Sequence, residues 1–81
     1  GKWQDAVAYY EDVLTFHPRD ILADDALFRI ADIKETILGD KEQALAYYKR
    51  LLIDYKSSLF GAEARKRVRI LRGDQFIDSD L

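Results

Sequence analysis

An all-α stack of helical hairpins is the fold class that this 81-residue sequence predicts, and three observations carry it. The first is an internal repeat. Ala6-Val7-Ala8-Tyr9-Tyr10 returns as Ala44-Leu45-Ala46-Tyr47-Tyr48, and Gly1 matches Gly39 and Leu14 matches Leu52 at the same 38-residue offset. Ala26, Arg29 and Ile30 line up with Ala64, Arg67 and Val68 in the same register. A fixed period of this length signals supersecondary units stacked on a continuous interior. The second observation is composition: one Pro and few β-branched residues favour helices over strands. The third is spacing, with apolar residues recurring at i, i+3, i+4 and i+7.

Taken in order, the first helix is predicted over about 2–16. Trp3, Ala6, Val7, Tyr10, Val13 and Leu14 form its stripe, and Tyr9 and Phe16 add a second apolar edge suited to neighbours on both sides. His17-Pro18 ends it, because a residue before proline is pushed out of the α region. The second helix is predicted over about 21–38, with Asp20 as N-cap and Asp24 and Asp25 favoured by the dipole of its first turns. Its stripe is Leu22, Ala26, Leu27, Ile30, Ile33 and Ile37, and Gly39 is its left-handed stop. Asp40 followed by Gln43 reads as a capping box for a third helix over about 41–55, carrying Ala44, Leu45, Tyr48, Leu51, Leu52 and Tyr55. Ser57 or Ser58 is expected to cap a fourth over about 59–72, through Phe60, Ala64, Val68 and Leu71 to Gly73. Connections this short make consecutive helices antiparallel neighbours.

With 48% hydrophobic and 35% charged residues, the chain has the composition of a folded domain. A net charge of −2 is too small to imply nucleic acid or an anionic membrane. Cysteine is absent, which removes disulfide and thiolate chemistry. No apolar run approaches spanning length, so no membrane insertion is expected of these residues. The chain opens on Gly1 rather than Met, and it reads as a processed product or a piece of something longer.

These residues resemble the tetratricopeptide (TPR) repeat. The second helix of that repeat has a small residue near its start, paired aromatics a few residues on, and a proline after its end. Gly1-Lys2-Trp3-Gln4-Asp5-Ala6 through Tyr9-Tyr10 to Pro18 fits in register, and Gly39-Asp40-Lys41-Glu42-Gln43-Ala44 through Tyr47-Tyr48 fits again, with Lys56 where the proline would fall. Leu27, Ile30 and Ala31 represent the repeat's first helix. The resemblance covers about 1–72 and implies an α-solenoid fragment: the second helix of one repeat, one full repeat and a C-terminal capping helix, followed by an acidic flexible tail over 73–81. Ala31 and Ala44 would let two helix backbones approach closely, with Tyr48 over the seam. Two departures stand out: a period of 38 against about 34, and Lys34 where the family places an aromatic. The longer period, with its Pro-x-Asp and Ala-Asp-Asp-Ala-Leu-Phe entry, is similar to TPR proteins of bacterial cell envelopes, of the outer-membrane assembly lipoprotein and Tol–Pal-associated types. That likeness points to the periplasm or cell envelope.

The resemblance also implies a function, protein–protein interaction without catalysis or cofactor. In the family the first helix of each repeat lines the concave, ligand-holding surface. Here that surface would carry Asp25, Phe28, Arg29, Asp32 and Glu35, acidic with an apolar spot and suited to a basic or amphipathic peptide; a solvated helix face is the alternative. The acids at 32 and 35 argue against clamping a peptide's C-terminal carboxylate. Trp3, Ala6, Val7 and Tyr10 include the face that a preceding helix would cover, so upstream repeats are expected in a longer parent, and self-association into a homo-oligomer in this piece. Arg65, Lys66, Arg67, Arg69 and Arg72 form one basic cluster. It could bind an anion or nucleic acid, but it lacks interleaved aromatics and a Gly-rich loop, and a solvated cap explains it better. Lone His17 has no second His or Cys to complete a metal site. Asp5, Asp12, Asp24 and Asp25 lie at helix starts or on solvent faces, with no nucleophile beside them to suggest acid–base chemistry.

Overall fold

A computed structural model describes residues 1–73 of the chain. Four antiparallel helices follow one another: α1 (Lys2–Phe16), α2 (Ala23–Asp32), α3 (Lys41–Asp54) and α4 (Gly61–Arg72). Each packs against the next, as the short connections require. The boundary of α2 differs from the sequence expectation. From Ile33 to Ile37 the helix widens into a π-helical turn, with the Leu38 N–H donating to the Ile33 carbonyl at 3.0 Å. Such a turn accommodates an extra residue within a continuous helix, and it absorbs part of the surplus length in the 38-residue period.

The core is built where the repeat predicts it. Leu27, Ile30 and Ala31 of α2, Ala44, Tyr48 and Leu51 of α3, and Ala64 and Val68 of α4 are buried in one cluster with Leu14 of α1. Small residues at 26, 31, 44 and 64 are closed off from solvent, which is how helix backbones reach close packing. Tyr48 is only 1% exposed and lies over the α2–α3 seam. Its counterpart Tyr10 packs against the same cluster but stays half-buried, because no helix lies on its other side.

Helix ends follow the sequence in part. The C-cap His17 turns out of α1 at φ −137°, ψ 53°, ahead of Pro18. Gly39 and Gly73 adopt φ 67° and 78°, the left-handed stops expected of them. Asp40 caps α3 by accepting the Gln43 N–H at 3.0 Å. The return half of the capping box is replaced: after the left-handed Gly39, the Asp40 N–H bonds back to the Lys34 carbonyl at 2.7 Å.

Two N-caps differ from expectation. The cap position of α2 is Leu22, not Asp20, and that of α4 is Phe60, not Ser57 or Ser58. Asp20 Oδ1 accepts the Leu22 N–H at 2.9 Å and Ser58 Oγ accepts the Phe60 N–H at 3.0 Å, so both close a turn two residues long before the helix begins. Short polar side chains serve turns and helix starts with the same chemistry. As a result Leu22, predicted in the buried stripe, is exposed, and Ile37 at the far end of the π-helical turn is exposed too. Of the acidic tail foreseen over 73–81, Gly73 is the C-cap of α4 and the rest lies outside the described residues.

Candidate protein-interaction surface

Positions 25, 28, 29 and 32 fall one turn apart on α2 and share a face. Asp25 pairs with Arg29 at 3.4 Å along the helix, leaving both partly exposed. Phe28 is half-buried. Its ring stacks on Phe60 ahead of α4, centroids 4.8 Å apart at 18°, and meets Tyr48 edge-on at 5.8 Å. The face therefore spans α2 and the start of α4, with the aromatic spot at its centre.

Glu35 is placed differently from its four companions. The π-helical turn brings it against α3 and α4, where Arg67 donates to it through Nε at 3.1 Å and also through Nη2. The Tyr48 hydroxyl donates to the same carboxylate at 3.1 Å. A forked guanidinium–carboxylate pair is among the stronger charge-assisted contacts, and here it ties three helices together. Burial, followed by the nearby charges of Asp32 and Glu63, pushes the Tyr48 hydroxyl up to about 12. Glu63, exposed on α4, thus brings a further negative charge to the surroundings of the Tyr48 hydroxyl.

Sequence reasoning placed neither Glu63 nor Phe60 at this surface, naming Phe60 only in the apolar stripe of the fourth helix. The repeat could have found the first: Glu63 stands 38 residues after Asp25, as Phe60 stands after Leu22. It also missed the bond from the Tyr47 hydroxyl to Glu11, which joins α3 to α1 across a groove of about 490 Å³ that Lys34 and Leu38 help to line. Burial and that carboxylate push Tyr47 up to about 12 as well.

On α1, Trp3 is 39% exposed, while Ala6, Val7 and Tyr10 are half-buried, the latter two against the core. The basic cluster of α4 is divided. Arg67 turns inward to Glu35, whereas Arg65, Lys66, Arg69 and Arg72 lie on the exposed side of the helix. Among the described residues no three His, Cys, Asp or Glu side chains gather as metal ligands would, and no helix is long and apolar enough to cross a membrane.

Comparison with curated proteins and with solved structures gives no match. Comparison with protein families does: residues 25–58, running from the first turn of α2 through the π-helical turn and α3 to the turn before α4, match the tetratricopeptide repeat, the family that this chain's central hairpin is similar to.

Proposed function

We propose that this chain is a non-catalytic interaction module that offers the Asp25–Phe28–Arg29–Asp32 face of α2, extended by Glu63 of α4, to a basic or amphipathic segment of a protein partner. One observation carries the reading. Phe28 stays half-buried on a rigid platform of Phe60 and Tyr48, with carboxylates a turn away on either side. An apolar anchor flanked by carboxylates, with the one cation of the face, Arg29, paired to Asp25, favours a segment of opposite charge. Glu35 belongs to the site as its support rather than as a contact, since Arg67 and Tyr48 occupy its carboxylate. Titrating the labelled chain with a synthetic Lys/Leu-alternating peptide should move the amide resonances of residues 25–32 and 60–63. Asp25→Lys combined with Asp32→Lys should weaken binding at least tenfold. Shifts confined to other helices would refute the assignment.

A second reading, self-association through Trp3, Ala6, Val7 and Tyr10, is supported by a comparison internal to the chain. The equivalents Ala44 and Tyr48 are closed off from solvent, whereas Ala6 and Tyr10 are not. Anion or nucleic-acid binding by the stretch from Arg65 to Arg72 has less support, because Arg67 is committed to Glu35. The kinship with TPR proteins of bacterial cell envelopes rests on the 38-residue period and its loops, and a periplasmic setting is proposed on that basis alone.

A further inference from the structure

Around the α2 face, two carboxylates differ from the rest in being uncompensated. Asp25 is paired with Arg29, and Glu35 with Arg67. Asp32 and Glu63 hold no ion pair among the described residues. Burial and then these two charges raise the Tyr48 hydroxyl, so the carboxylates converge on one place although they come from α2 and α4. The same place holds an aromatic floor. Phe28 of α2 and Phe60, just ahead of α4, stack with centroids 4.8 Å apart at 18°, and the Tyr48 ring meets Phe28 at 5.8 Å. Phe28 and Phe60 both stay partly open to solvent. The α2 side and the α4 side thus contribute one ring and one unpaired acid each.

Two unneutralised carboxylates beside stacked rings call for a cation, and the combination discriminates between cations. An ammonium group answers the carboxylates as a compact, strongly hydrated charge and gains less from a flat pair of rings. A guanidinium is planar and weakly hydrated. It can lie on ring faces while its N–H groups, which point outward in its own plane, reach acceptors at the edge of the floor. The chain already uses a guanidinium next to this spot: Arg67 forks onto Glu35, whose carboxylate also accepts from the Tyr48 hydroxyl.

We infer that this floor selects arginine over lysine in the basic segment of a protein partner, which rests on the proposed use of the α2 face and adds the identity of the cation. The guanidinium lies on Phe28 and Phe60, and Asp32 and Glu63 accept its N–H groups from the α2 and α4 sides. Asp25 is already answered by Arg29 and takes no part in the choice.

The test uses the full 81-residue chain and two fluorescent synthetic peptides of equal length and charge, one alternating Arg with Leu and one alternating Lys with Leu. The Arg peptide should bind about tenfold more tightly and shift the amide resonances of residues 28–32 and 60–63. Phe28→Leu should bring it to the affinity of the Lys peptide, and Asp32→Asn with Glu63→Gln should remove most of the preference. Glu63 is exposed and unpaired, so Glu63→Gln alone, expected to cut the ratio roughly threefold, reads the preference without disturbing the packing. Asp5→Asn with Asp12→Asn removes the same charge from α1 and should leave the ratio unchanged. Equal affinity of the two peptides at the α2 face would overturn the arginine preference and leave the proposed surface standing. A preference that survives Phe28→Leu and the paired change at 32 and 63 would overturn it too. Binding of neither peptide at millimolar concentration would remove the surface itself, and the preference with it.

Discussion

At the scale of single residues, Tyr48 shows how one side chain serves packing and polarity together. Its ring fills the α2–α3 seam while its hydroxyl reaches Glu35, so burying the ring leaves no unsatisfied group behind. With its pKa raised from 10.0 to about 12, the folded state holds the phenolic proton more tightly than the unfolded chain does. This contribution is therefore whole below pH 10, and it is lost as pH rises from there through about 12. Thermal melts at pH 8 and pH 11.5 should show an alkaline loss that is smaller in Tyr48→Phe, by roughly 2 kcal/mol at most. An equal loss in both proteins would remove the tyrosine from the explanation. The position of Tyr48 was legible, because it recurs with Tyr10 at the repeat offset. The partnership of Glu35 with Arg67 was not, since it joins residues 32 apart through a turn that no local pattern announces.

At the scale of elements, both glycine stops were readable, because only a residue without a Cβ takes positive φ freely. Gly39 does more than end a helix: its turn delivers the Asp40 N–H to Lys34 and sets Asp40 to cap α3. An added Cβ at Gly39 would meet nothing within 4 Å, so the penalty of Gly39→Ala is conformational alone. It should lower unfolding free energy by roughly 1–2 kcal/mol in urea denaturation. Gly39→Asn should cost less, since Asn tolerates the left-handed region. Equal losses for the two variants would mean that space, not backbone conformation, is limiting. Helix starts were read less well than helix stops. Asp20 and Ser58 have the chemistry of N-caps, yet the same oxygens close the preceding turns, and the helices begin two residues later than those side chains suggest. The π-helical turn left no mark in composition or periodicity beyond the surplus in the repeat length.

At the scale of the whole molecule, the repeat predicts the order of stacking and also which surface lacks a neighbour. The two central helices, α2 and α3, bury most of what they present, whereas α1 has a partner on one side only. Trp3 is 39% exposed, and Tyr9 and Phe16 are more so, which leaves three large apolar side chains of α1 open to solvent. Covering such side chains is worth about 25 cal/mol for each Å² of apolar area removed from water. A second copy can supply that cover by laying its own α1 against the first. One pair of 15-residue helices meets through less than the roughly 1,600 Å² of a standard specific interface, so the dimer should be weak, micromolar or looser. Sedimentation velocity should then show a monomer at low loading and a growing dimer fraction toward millimolar concentration. Trp3→Glu should hold the chain monomeric throughout, since it would bring two carboxylates into one apolar contact. Two further variants locate the contact: Ile53→Ser, on α3, should leave the dimer unchanged, and Phe16→Ser should weaken it. A chain that stays monomeric at millimolar concentration would show that α1 tolerates water, and self-association would then be excluded as its role.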